Sequence, residues 1–85
     1  MTYIDWLDEV DGRLTRVLLK FPGSEIAVDP IKKHVVFALN RPELVDIERT
    51  IRQTKGRMIA AAVNYPDLEE EFMPVVEKAE KAWGS

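Results

Sequence analysis

Near the N-terminus Leu7, Val10, Leu14, Val17, Leu18 and Phe21 recur at helical spacing, and the pattern stops at Pro22-Gly23. Such spacing puts apolar side chains on one face, so it predicts a helix over residues 3–21 with a single buried face. Pro22-Gly23 breaks it. Asp5, Asp8, Glu9 and Asp11 lie toward its start and Arg13, Arg16 and Lys20 toward its end. That order suits the helix dipole. Gly12, mid-helix, costs about 1 kcal/mol relative to alanine. With 85 residues the chain is expected to form a single domain, 1–85, with a thin core.

Beyond the break the period shortens. Ile26 and Val28 alternate with polar neighbours, and Val35, Phe37 and Leu39 also fall two apart. Residues 25–29 and 34–39 therefore read as an antiparallel hairpin around the turn "DPIKK". Residues 40–56 read as a second helix, capped by Asn40, with Pro42 in its first turn and Gly56 at its end. Leu44, Ile47 and Ile51 form its inward stripe. "RMIAAAV", residues 57–63, reads as a third strand, apolar on both faces. Residues 66–83 carry Leu68, Phe72, Val75, Val76, Ala79 and Trp83 at helical spacing, with a kink or division expected at Pro74 and a capping box from Asp67 and Glu70. Gly84 and Ser85 are assigned no role.

The expected fold class is α/β (α+β), in the order α-β-β-α-β-α around an open three-stranded sheet. Helices 1 and 2 would cover the face made by Ile26, Val28, Val35, Phe37, Leu39, Ile59 and Val63. Helix 3 would cover the opposite face of Ala27, Val36, Ala38, Ala60 and Ala62. On this reading Phe37 is core, and Phe37→Ala costs about 3–5 kcal/mol. An unpaired sheet edge would invite a second copy or a partner strand.

Residues 10–56 resemble the heavy-metal-associated domain of copper chaperones and metal pumps. The likeness lies in Leu14, Leu18, Phe21, Pro22 and Gly23 closing the first helix, then "SEIAVDPIKKHVVFAL" as a hairpin and "RPELVDIERTIRQTKG" as a second helix. The resemblance implies a ferredoxin-like variant. That family holds soft metal through paired cysteines at the start of its first helix. The matching positions here fall near Leu7 and Val10, which cannot ligate metal, and the family's first strand has no counterpart. The resemblance therefore implies the scaffold without the metal site.

The chemistry-bearing residues are few. There is no cysteine, so neither a disulfide framework nor a thiolate site is open to the chain. His34 is the only histidine, too few for a histidine metal site, and no serine or cysteine lies close to it in sequence. Two acidic groups, Asp5-Asp8-Glu9 and Glu43-Asp46, lie where helices are expected to start, which the dipole explains without catalysis. "EEE" at 69–71 reads as helix capping, and "TKGR" at 54–57 is no phosphate loop. No secretory leader and no bilayer-spanning apolar run are apparent, and a cytoplasmic location is expected.

The formal net charge of −3 argues against nucleic acid as the main partner. Two basic stripes nonetheless stand out: Arg13, Arg16 and Lys20 on the first helix, and Arg49, Arg52 and Lys55 on the second. Together with Phe72 and Trp83 of the last helix, they are the candidate interaction residues. The expected function is a non-enzymatic protein-interaction module, an adaptor, regulator or inhibitor, binding another protein or itself as a homodimer, with no cofactor and no metal. The alternative is a nucleic-acid-binding domain using the basic stripes.

Overall fold

Phe21, Arg41 and Tyr65 each precede a proline, and at each of them a helix stops. A residue before proline is pushed out of the helical region, and these three have φ of −124°, −133° and −131° with positive ψ. The computed structural model, described for residues 1–84, accordingly has four helices: α1 (Tyr3–Lys20), α2 (Glu25–Asn40), α3 (Ile47–Asn64) and α4 (Glu69–Trp83). Short 3-10 turns, Pro42–Leu44 and Pro66–Leu68, lead into α3 and α4. Ser85 lies outside the described residues.

The short connections turn each helix back along its predecessor. The helices surround one core, built from Trp6, Leu7, Val10, Leu14 and Val17 of α1, Val28, Ile31 and Val35 of α2, Ile51 and Met58 of α3, and Phe72, Val75 and Val76 of α4. The Trp6 indole Nε1–H donates to the Val75 carbonyl at 2.8 Å, tying the start of α1 to the middle of α4. Lys32 of α2 donates to Asp11 at 2.8 Å and to the Thr15 hydroxyl at 2.9 Å on α1.

The expected α/β ferredoxin-like fold is therefore corrected: the described residues contain no strand, and the resemblance to the heavy-metal-associated domain is not supported. Residues 25–29 and 34–39 belong to one helix, α2. Its core positions Val28, Ile31, Val35 and Ala38 step by three, four and three. The hairpin reading assigned Ile31 to a turn and so hid the helical period. Pro30 misled in the same way. It is the sixth residue of α2, where it deprives only the Ile26 carbonyl of an intrahelical partner.

Residues 57–63 are the second half of α3, because Gly56 does not end that helix. A terminating glycine takes positive φ, and among the described glycines only Gly23 and Gly84 do so. Asp46, in place of Asn40, caps α3 by accepting from the Arg49 N–H. The Asp67–Glu70 capping box is absent from α4, which continues through Pro74 as one helix.

Loss of the strands inverts part of the expected core. Val28 and Val35 are buried, whereas Ile26 is 81% exposed, Phe37 49% and Val63 73%. Ala38 and Ala62, expected on the opposite face, are buried. Gly12 and Gly56 both face open space, so nothing inside the chain requires either to lack a side chain. Each leaves its helix about 1 kcal/mol less favourable than alanine would.

Candidate interaction surfaces

Helical geometry disperses the residues singled out from sequence. The first basic stripe, Arg13, Arg16 and Lys20, lies along the edge of α1 that meets α4. There it converges on one carboxylate. Glu71 stands 3.9 Å from Arg13 Nη1, 3.2 Å from Arg16 Nη1 and 3.6 Å from Lys20 Nζ, with its side chain only 12% exposed. Arg13 also donates to the Glu71 carbonyl at 3.0 Å. That carbonyl lies next to the Glu70 carbonyl, which Pro74 leaves without its usual N–H donor. On the same edge Lys78 pairs with Glu9 at 2.8 Å. The stripe is thus held against the fold by one shared carboxylate.

The second stripe is different. Among the described residues Arg49, Arg52 and Lys55 of α3 make no ion pair. Arg52 and Lys55, with Tyr3, Glu48, Ile51, Ala79 and Trp83, line a half-open hollow of about 380 Å³ between the N-terminal end of α3 and the C-terminal end of α4. Trp83 forms its aromatic wall, with its ring 4.7 Å from Tyr3 and 6.2 Å, edge-on, from Trp6. The Tyr3 hydroxyl is 3.4 Å from Glu48. Desolvation, then the Glu48 charge and this hydrogen bond, raise the Tyr3 pKa. The structure thus brings together Arg52, Lys55 and Trp83. It leaves Arg49 on the outer surface of α3 and places Phe72 wholly in the core, where no partner can reach it.

Three of the carboxylates considered for acid–base work have structural partners, while Asp5 and Asp8 are exposed on the first turns of α1. Glu9 pairs with Lys78 and Arg13, Asp46 caps α3, and Glu43 pairs with Arg41 at 2.8 Å, which together with a backbone hydrogen bond lowers the Glu43 pKa. Among the described residues no three His, Asp or Glu side chains converge as a metal would require. His34 of α2 has a buried Nε2 without a hydrogen-bond partner, and burial, then the charge of Arg57 on α3, lowers its pKa.

Sequence reasoning missed the outer stripe of α2. Ile26, Pro30, Lys33 and Phe37 follow one another at four, three and four residues on the side opposite Val28, Ile31, Val35 and Ala38. The signal was present as Ile26, Pro30 and Phe37 in helical register, interrupted by Lys33. The strand reading merged the two stripes into one sheet face.

The chain matches no protein-family model, no curated protein and no solved structure.

Proposed function

We propose that this chain is a non-catalytic protein-binding module that contacts its partner through the outer stripe of α2. The observation behind the reading is the exposure of Ile26 and Phe37 on the one face of α2 that no other helix covers. A stripe spaced at four, three and four residues is what a helix offers when it lies in an apolar groove or against a partner helix. Phe37 is its natural anchor, since aromatic side chains concentrate binding energy at interfaces. Asp29, Lys32, Lys33 and Asn40 surround it and supply a polar rim.

A photo-crosslinking residue at position 37, expressed in the native host, tests this reading. It should give an adduct of one defined mass. The same residue at position 77, on the exposed side of α4, should not, and Ile26→Asp should abolish the adduct. Identical adduct patterns from both positions would rule out a dedicated α2 surface.

Polyanion binding is the second reading. The unpaired cations of α3 favour it, while the net charge of −3 and the Glu71 cluster weigh against it. Affinity for duplex DNA that falls steeply with salt and is lost in Arg49→Glu/Arg52→Glu would support it.

A further inference from the structure

Arg52 and Lys55 are three residues apart on α3, so they share one side of the helix, about 4.5 Å apart along its axis. Glu48 stands one turn before Arg52, the spacing at which ion pairs form along a helix. That pair is not made. Glu48 instead accepts from the Tyr3 hydroxyl of α1 at 3.4 Å. Both cations therefore line the hollow between α3 and α4 with no ion-pair partner among the described residues. On α1, by contrast, the cations share Glu71.

The remaining surface of the hollow is chiefly apolar and aromatic. Ile51 and Ala79, both buried, form its floor. Trp83 is half-buried, and its ring is held by Tyr3 at 4.7 Å and, edge-on, by Trp6 at 6.2 Å. A ring fixed by two aromatic neighbours is a wall already in place, so a ligand stacking on it does not have to order it first. The volume of about 380 Å³ lies within the range of small-molecule sites, about 300–1,000 Å³.

We infer that this hollow binds a planar aromatic carboxylate, with the ring on Trp83 and the carboxylate between Arg52 and Lys55. This goes beyond the proposed binding at α2 and uses a different part of the molecule. The charges select the ligand. Two cations face one carboxylate, Glu48, leaving a single positive charge in excess, which matches a monoanion. A phosphate monoester, close to a dianion at neutral pH, would meet Glu48 with a second charge that nothing compensates. The Arg52 guanidinium offers the planar fork that fits a carboxylate, and Lys55 adds a point charge one turn away. An aromatic amine would meet both cations and is excluded by the same count.

Titration of the 15N-labelled chain with 2-naphthoate, followed by two-dimensional NMR, tests this. The indole N–H of Trp83 and the Nε–H of Arg52 should shift together and saturate, with a Kd on the order of 0.1–1 mM, as expected of a ligand this small. The Trp6 indole N–H, committed to the Val75 carbonyl, is the internal reference and should move less. 2-Naphthalenemethanol, which keeps the ring and lacks the charge, should bind at least tenfold more weakly, and 2-naphthyl phosphate at least threefold more weakly. Arg52→Gln/Lys55→Gln should keep its helical circular dichroism and lose at least tenfold in naphthoate affinity. Trp83→Leu should weaken both naphthoate and the alcohol. Arg49→Gln should leave naphthoate binding unchanged, because Arg49 lies outside the hollow.

No saturable shift at millimolar naphthoate would overturn the inference. So would equal binding of the alcohol, equal binding by the folded Arg52→Gln/Lys55→Gln variant, or a loss in Arg49→Gln, which would trace the effect to the general charge of α3. Tighter binding of the naphthyl phosphate would replace the carboxylate with a phosphate ester and refute the charge count. The α2 reading is separately distinguishable: Ile26→Asp/Phe37→Asp should leave naphthoate binding intact. Loss of naphthoate binding in that variant would move the probe to the α2 stripe and refute the hollow.

Discussion

Replacing Glu71 with glutamine keeps the shape of the side chain and removes the charge shared by Arg13, Arg16 and Lys20. The three contacts, at 3.9, 3.2 and 3.6 Å, involve cations whose side chains are 22%, 57% and 57% exposed. Exposed pairs contribute about 0.2–1 kcal/mol each, and the two outer cations belong at the low end of that range because water screens them. Arg13 keeps its bond to the Glu71 carbonyl, so the backbone part of the contact survives. Glu71→Gln should therefore cost about 1–1.5 kcal/mol, and a chain of this size should melt about 5–10 °C lower. Thermal denaturation followed by circular dichroism measures this, at about 0.02 M and about 0.5 M salt. The loss should shrink at the higher concentration, where the Debye length falls to a few ångströms. The variant should also be retained longer on a polyanionic resin, since the released cations form an uncompensated strip. An unchanged midpoint at low salt would refute the view that Glu71 gathers the α1 stripe. A loss equally large at both salt concentrations would show that packing, and not charge, is what Glu71 supplies.

Trp6→Phe removes the indole N–H that donates to the Val75 carbonyl and part of a wholly buried ring, and should cost about 1.5–3 kcal/mol in urea denaturation. A cost below about 0.5 kcal/mol would mean that the α1–α4 bond contributes nothing. His34 has a folded-state pKa below its ordinary 6.5, so the unfolded chain binds more protons and stability falls as the pH drops below about 6.5. His34→Gln should flatten that part of the stability–pH curve, as read by urea midpoints taken across it. An unchanged slope would place the titration elsewhere.

The sequence made the outer helices legible and hid the inner two. The α1 stripe is long, uninterrupted and ended by Pro22-Gly23, and it is observed over Tyr3–Lys20. The α4 stripe buries Phe72, Val75, Val76 and Ala79 as its spacing indicated. In α2 and α3 local rules competed with the longer period. Valine, isoleucine and phenylalanine favour strands as individual residues, and Pro30 and Gly56 read as punctuation. Tertiary packing overrode both signals. Pro30 lies early enough in α2 to cost a single hydrogen bond, and Gly56 keeps negative φ within a helix held by Ile51, Met58 and Ala61 on either side.

The interaction residues fared similarly. Both basic stripes were visible as stripes. That Glu71 would gather the first could not be seen, because the pairing joins residues more than fifty positions apart. The outer face of α2 was invisible for as long as Phe37 shared a sheet face with Val35.

Val35 and Phe37 therefore decide the account. On a strand they share a face; on α2 they point in opposite directions, Val35 fully buried and Phe37 half exposed. Urea denaturation of Val35→Ala and Phe37→Ala, side by side, reads the difference. The account predicts a loss of about 1–3 kcal/mol for Val35→Ala and less than about 0.5 kcal/mol for Phe37→Ala. A Phe37→Ala loss as large as that of Val35→Ala, or larger, would contradict the helix and with it the exposed α2 stripe on which the proposed function rests.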